Sequence, residues 1–112
     1  MLKRSRAART RIRFRVEIRD SRRTFDAESR DVSVDGLSFA SPILMRIGDR
    51  VGTSLHLEGI ESVSLSFEIR WARPEGPKSY LTGVEFMHTP ESRKAMQKLL
   101  WQIDSGTVKG LR

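Results

Sequence analysis

From residue 11 to residue 19 the chain alternates strictly: Ile12, Phe14, Val16 and Ile18 fall on one side, and Arg11, Arg13, Arg15, Glu17 and Arg19 on the other. Successive side chains of an extended chain point to opposite faces, so a period of two predicts a strand with one face on a core. The charged side is the ordinary solvated face of such a strand. Asp20-Ser21-Arg22-Arg23 is a polar break. Residues 24–34 predict a second strand with weaker alternation, and Asp35-Gly36 a tight turn in which glycine would accept positive φ. Leu37-Ser38-Phe39 opens a third strand that Ser41-Pro42 closes, and Gly48-Asp49 turns into a fourth over residues 51–57, ended by Glu58-Gly59. The longest alternation comes next. Val63, Leu65, Phe67, Ile69 and Trp71 share one face, opposite Ser62, Ser64, Ser66, Glu68 and Arg70, which makes a fifth strand. Trp71 continues its apolar face and reads as a core residue, while Arg70 reads as solvated. After the loop Pro74-Glu75-Gly76-Pro77, residues 79–86 form a sixth strand with Gly83 inside it, where a lone glycine marks a bulge or a close backbone approach.

The period then changes. Thr89 before Pro90 has the form of a helix N-cap followed by proline at the first helical position. Met96, Leu99, Leu100 and Ile103 recur at helical spacing, and Gly106 is a natural stop. Six short strands followed by one helix predict an all-β-dominated fold, a closed or nearly closed six-stranded antiparallel split barrel with one C-terminal α-helix. The expected layout is a flexible basic arm over residues 1–10, barrel plus helix over 11–105, and a tail over 106–112.

At 112 residues the chain is sized for one domain. No apolar stretch approaches the roughly 18 residues that span a bilayer, and the basic start leads into no apolar run of the secretory kind. There is no cysteine, which excludes disulfides and thiolate metal sites, and the cytosol is the expected compartment. The net charge of +7 is unevenly placed. Residues 1–30 carry eleven Lys or Arg against four Asp or Glu, and the remaining 82 carry ten of each. An excess confined to the first quarter suits either a solubilising arm or a local anionic partner such as a nucleotide, a nucleic acid or a membrane surface.

Catalysis finds little support. His56 and His88 stand apart and read as surface or turn residues. No His/Asp/Glu cluster has metal-ligand spacing, and neither a P-loop nor a G-x-S-x-G elbow is present. Neither an enzyme nor a resident cofactor is expected. The binding evidence has two parts. The first is the arm, with Lys3, Arg4, Arg6, Arg9 and Arg11. Guanidinium forks grip phosphate bidentately, match guanine O6 and N7, and stack on bases. The second is Asp31-Val32-Ser33-Val34-Asp35-Gly36, which in a strand shows a carboxylate and a hydroxyl on one face and puts Val32 and Val34 on the other. A carboxylate accepts from the guanine N1–H and N2–H donors. Taken alone, this second element reads as a plain hairpin with two outward polar residues.

Together the two parts resemble the PilZ domain family. That family is marked by an R-x-x-x-R element in an N-terminal arm and a (D/N)-x-S-x-x-G element on a barrel. Asp31, Ser33 and Gly36 match the second element at its three defining positions, and Arg9 lies upstream at a similar distance. Ile69-Arg70-Trp71, Gly83-Val84-Glu85-Phe86 and the terminal helix resemble the family's later elements, so the likeness runs over residues 3–103. It implies a receptor for cyclic di-GMP, bound in some members as a stacked dimer, that signals to a downstream protein. It further implies that Asp31 and Ser33 touch the ligand while Gly36 permits the turn. If Arg9 is the second arm arginine, the first falls on Ser5, flanked by Arg4 and Arg6. The pair Arg9 and Arg13 has the right spacing, but Arg13 belongs to the alternating strand, so Arg4, Arg6 and Arg9 form the working set. Two other readings follow: a PilZ-like protein-interaction adaptor without the nucleotide, which the shift at Ser5 favours, and a small nucleic-acid-binding barrel. Against the last stand the near-neutral charge of residues 31–112 and the expected lack of an exposed aromatic platform.

Overall fold

The computed structural model describes residues 8–106. Seven strands and one helix follow in order: β1 (Thr10–Arg11), β2 (Arg15–Arg19), β3 (Thr24–Val32), β4 (Gly36–Ser41), β5 (Arg50–His56), β6 (Val63–Pro74), β7 (Tyr80–Met87) and α1 (Pro90–Asp104). Strands β3, β2, β5, β6, β7 and β4 are hydrogen-bonded in that order, and β4 pairs back onto β3, so six strands close a barrel. All of these pairings are antiparallel, and β1 adds a short seventh strand on β3. Closure removes the open edges that would otherwise invite pairing with another chain.

The core is the inward set that the alternation marks. Phe14, Val16, Ile18, Val32, Leu37, Phe39, Leu55, Phe67 and Ile69 are fully buried inside the barrel. Met96 and Leu99 of α1 join the same cluster, with Leu100 and Ile103 partly buried against it. Thr89 caps α1 through a reciprocal pair with Ser92, and Gly106 follows the helix at φ +80°. Val34, expected in the core, is only partly buried, because β3 ends at Val32 and the chain has already begun to turn.

The strand expected over residues 11–19 is split in two. Ser29 of β3 is the cause. Its buried hydroxyl accepts from the Phe14 N–H (2.9 Å) and donates to the Ile12 carbonyl (2.6 Å). A side chain thus takes the place of a ladder bond, and the chain bends round it without losing the inward alternation. Register on β3 shifts by one residue across the bend, from Arg15↔Glu28 in β2 to Thr10↔Val32 in β1. The end of the expected arm, Thr10, is therefore part of the sheet.

Two further one-residue shifts shape the outer surface. Against β4, β3 slips between Ser29 and Asp31, so Arg30 is extra. Against β7, β6 slips between Ile69 and Trp71, so Arg70 is extra. An extra residue leaves two successive positions on one side of a strand. Asp31 and Trp71 thereby turn outward, on opposite sides of the β4–β7 pair.

Candidate functional site

The cross-strand partners Arg11↔Asp31, Asp31↔Ser38, Ser38↔Gly83 and Gly83↔Trp71 form one row over β1, β3, β4, β7 and β6. Neighbouring strands lie about 4.8 Å apart, so Asp31 and Trp71 are separated by three strand spacings, roughly 14 Å. Along the row between them the sheet carries the small residues Ser38 and Gly83, with Gly36 beside them on β4. Small residues between two larger walls make a saddle, and a cavity of about 780 Å³ lies there, lined by Arg9, Asp31, Gly36, Ser38, Trp71 and Arg73 among others.

Asp31 is the anchor of one wall. Arg9 Nη1 donates to its Oδ1 at 2.6 Å, and Ser38 Oγ donates to the same oxygen at 3.1 Å. The hydroxyl of Ser38 fixes the carboxylate from below, since Ser38 is buried in the floor. Sequence reading missed Ser38 because nothing in its own strand sets it apart; only the β3–β4 register places it under Asp31. Arg9 is thus placed beside Asp31, whereas Arg4 and Arg6 lie outside the described residues. Ser33 departs from expectation. It is buried beyond the end of β3, and its Oγ accepts from the N–H of Asp35 (3.1 Å) and of Gly36 (3.3 Å). Its hydroxyl therefore holds the turn closed rather than standing beside Asp31 on a strand face. Gly36 is also corrected: it is not among the positive-φ glycines. Glycine is required because β7 passes close by, where an added Cβ would lie 2.1 Å from the Val84 carbonyl oxygen.

Trp71 forms the other wall, not part of the core. The shift at Arg70 takes it off the face of Phe67 and Ile69 and leaves it 40% exposed, so the barrel does present an aromatic surface. Trp101 on α1 is exposed as well. The Trp71 ring lies over Gly83, whose added Cβ would meet Cε2 at 2.1 Å and Nε1 at 2.2 Å. This is the close approach that a lone glycine in the sixth strand signals. Arg73, two residues on and on the same outward side, places its guanidinium carbon 5.2 Å from the Trp71 ring centroid. Arg70 is held by Glu85 (3.2 Å) and Glu68 (3.5 Å).

Both histidines are structural. His56 Nε2 donates to Glu17 Oε1 at 3.0 Å; that bond is the main reason the Glu17 carboxyl is held below its ordinary value, against the opposing effect of burial. His88 bridges the site's turn to the helix: Nε2 donates to the Val34 carbonyl (2.6 Å) and Nδ1 meets Ser92 Oγ (2.8 Å). Among the described residues no three His, Asp or Glu gather as a metal site, and no helix is long and apolar enough to cross a membrane.

Three solved structures share this fold. The PilZ domain of YcgR from Escherichia coli, solved with c-di-GMP, matches 94% of this chain and 95% of its own, with a TM-score of 0.78 at 11% identity. The MrkH–c-di-GMP complex of K. pneumonia matches 95% of this chain and 55% of its own (TM-score 0.77, 12% identity). The inhibitor of motility MotI/DgrA of Bacillus subtilis matches 94% and 53% (TM-score 0.76, 12% identity). This chain therefore spans about half the length of the last two. No curated protein matches the sequence. The model of the PilZ domain matches residues 3–103, nearly the whole barrel and helix, and the chain belongs to the PilZ domain family.

Proposed function

We propose that this protein is a cytosolic cyclic di-GMP receptor module that binds the nucleotide in the saddle between Asp31 and Trp71 and signals through protein contact, with no catalysis of its own. The observation that carries this reading is the row itself: a carboxylate held by an arm arginine at one end, an aromatic ring at the other, and a floor of Gly36, Ser38 and Gly83. A carboxylate accepts from guanine N1–H and N2–H, a guanidinium fork matches guanine O6/N7 or phosphate, and an indole face supports a base. Family membership and two neighbours solved with c-di-GMP support the same ligand.

In this mechanism the Arg9–Asp31 pair holds the end of the arm beside the saddle before the nucleotide binds. An arriving guanine bonds Asp31 in place of Arg9, whose fork turns to phosphate or to guanine O6/N7. Arg4 and Arg6 close from the arm on the remaining phosphates, and two stacked nucleotides would engage all of these cations. The ordering of the arm is the signal, because only the occupied state gives it new contacts. Ser33 serves by holding the turn closed, and Gly36 by letting β7 pass close beside it. Ser5, at the place of the family's first arm arginine, favours the second reading, a PilZ adaptor that works by protein contact alone.

Fluorescence tests the choice. In a Trp101→Phe background Trp71 is the sole tryptophan, and cyclic di-GMP should change its emission saturably while cyclic di-AMP, which lacks the guanine donors, should not. Unchanged emission together with no binding by a label-free method would leave the adaptor reading.

A further inference from the structure

The saddle is bordered by three arginines of the described residues, and two of them are already neutralised. Arg9 is paired with Asp31, and Arg70 with Glu68 and Glu85. Among the described residues no ion pair engages Arg73. It is exposed, it lines the cavity, and its partner is the face of Trp71. A guanidinium lying over an indole keeps its N–H donors at its edges, pointing away from the ring, where they can take an anion. Stacking also limits the rotamers of a long side chain, so less freedom is lost when an anion binds. Trp71 is itself fixed, by Gly83 beneath it and by the shift at Arg70 that turns it outward.

We infer that Arg73 is a phosphate-binding residue of this site, held ready by Trp71, and that it supplies from the barrel a cation which Ser5 removes from the arm. This deepens the proposed function and rests on it. Trp71 then positions Arg73 in addition to bordering the nucleotide, and the barrel wall contributes charge as well as surface. Arg70 is less suited to this part, because Glu68 and Glu85 already offset its charge.

Cyclic di-GMP binding is measured by calorimetry at several salt concentrations for the full chain and for Arg73→Ala, Arg73→Gln, Arg73→Lys and Asp31→Ala. Loss of one charge-assisted contact at an exposed rim predicts roughly tenfold weaker binding for Arg73→Ala and Arg73→Gln, with a flatter salt dependence. Arg73→Lys should recover part of the affinity and most of the salt dependence, since it keeps the charge but not the fork. If Arg73 only covered Trp71, Arg73→Gln would preserve both affinity and salt dependence. Wild-type affinity and salt dependence in Arg73→Ala, alongside lost binding in Asp31→Ala, would overturn the role of Arg73 and leave the receptor reading intact. No binding by the unaltered chain would overturn both.

Discussion

Replacing Gly83 by alanine should destabilise the barrel only while Trp71 is present. The added methyl would sit 2.1–2.6 Å from three atoms of the indole, where ordinary contact begins at 3.4 Å, so the ring must move by about an ångström or more. Overpacking of this kind costs about 1–3 kcal/mol, and Trp71, 40% exposed, has room to tilt toward solvent rather than distort the strand. In a Trp71→Ala background the clash partner is gone. Alanine in a strand then loses less backbone entropy on folding than glycine, and the same substitution should stabilise by about 0.5–1 kcal/mol. The sign therefore reverses, with a coupling of about 1.5–4 kcal/mol between the two positions. Urea unfolding of the wild type, both single variants and the double variant measures it. For a domain of this size thermal midpoints should move by roughly 4–8 °C per kcal/mol. An equal cost of Gly83→Ala in both backgrounds would refute the claim that the glycine exists to seat the ring.

Gly36→Ala makes a contrast: its Cβ would meet a backbone oxygen of β7 at 2.1 Å, so no side-chain deletion should relieve the cost, and urea unfolding should show a loss of about 2–3 kcal/mol or a barrel that does not fold. Ser29→Ala leaves the Phe14 N–H and the Ile12 carbonyl without their partner; a loss of about 1–3 kcal/mol in chemical denaturation is expected, with faster hydrogen exchange at Phe14. The Glu17 carboxyl, lowered from its ordinary 4.5 first by its bond to His56, binds a proton less readily folded than unfolded. Its contribution to stability is present above pH 4.5 and is lost as pH falls through the lower folded value. A carbon-detected titration should show that value rising toward 4.5 in His56→Ala; no change would remove the hydrogen bond as its cause.

Much of the fold was legible because the inward face obeys a period of two almost throughout. Phe14, Val16, Ile18, Phe67 and Ile69 are all buried where alternation puts them. The Thr89-Pro90 helix start was equally plain, since capping is local chemistry. What the pattern could not carry were the places where one residue is extra. Trp71 continues the apolar alternation in sequence but leaves it in space, because Arg70 is the additional residue and the slip is defined only against β7. The split between β1 and β2 likewise depends on Ser29, ten residues beyond the strand it bends. Asp31 and Arg9 stood out through their motif, whereas Ser38 and Arg73 join the site through register and stacking, which have no signature in a single strand. Ser33 and Gly36 line the cavity but also do structural work that their motif does not announce, turn closure and close strand approach.

Isothermal titration calorimetry of the full chain with cyclic di-GMP, repeated with Asp31→Ala and with GTP as the control ligand, puts the central claim to the most direct test. The account predicts micromolar or tighter binding of one or two nucleotides per chain, no comparable heat with GTP, and loss of binding in an Asp31→Ala variant that still unfolds cooperatively. Undiminished binding by folded Asp31→Ala, or no binding by the unaltered chain at high concentration, would contradict it.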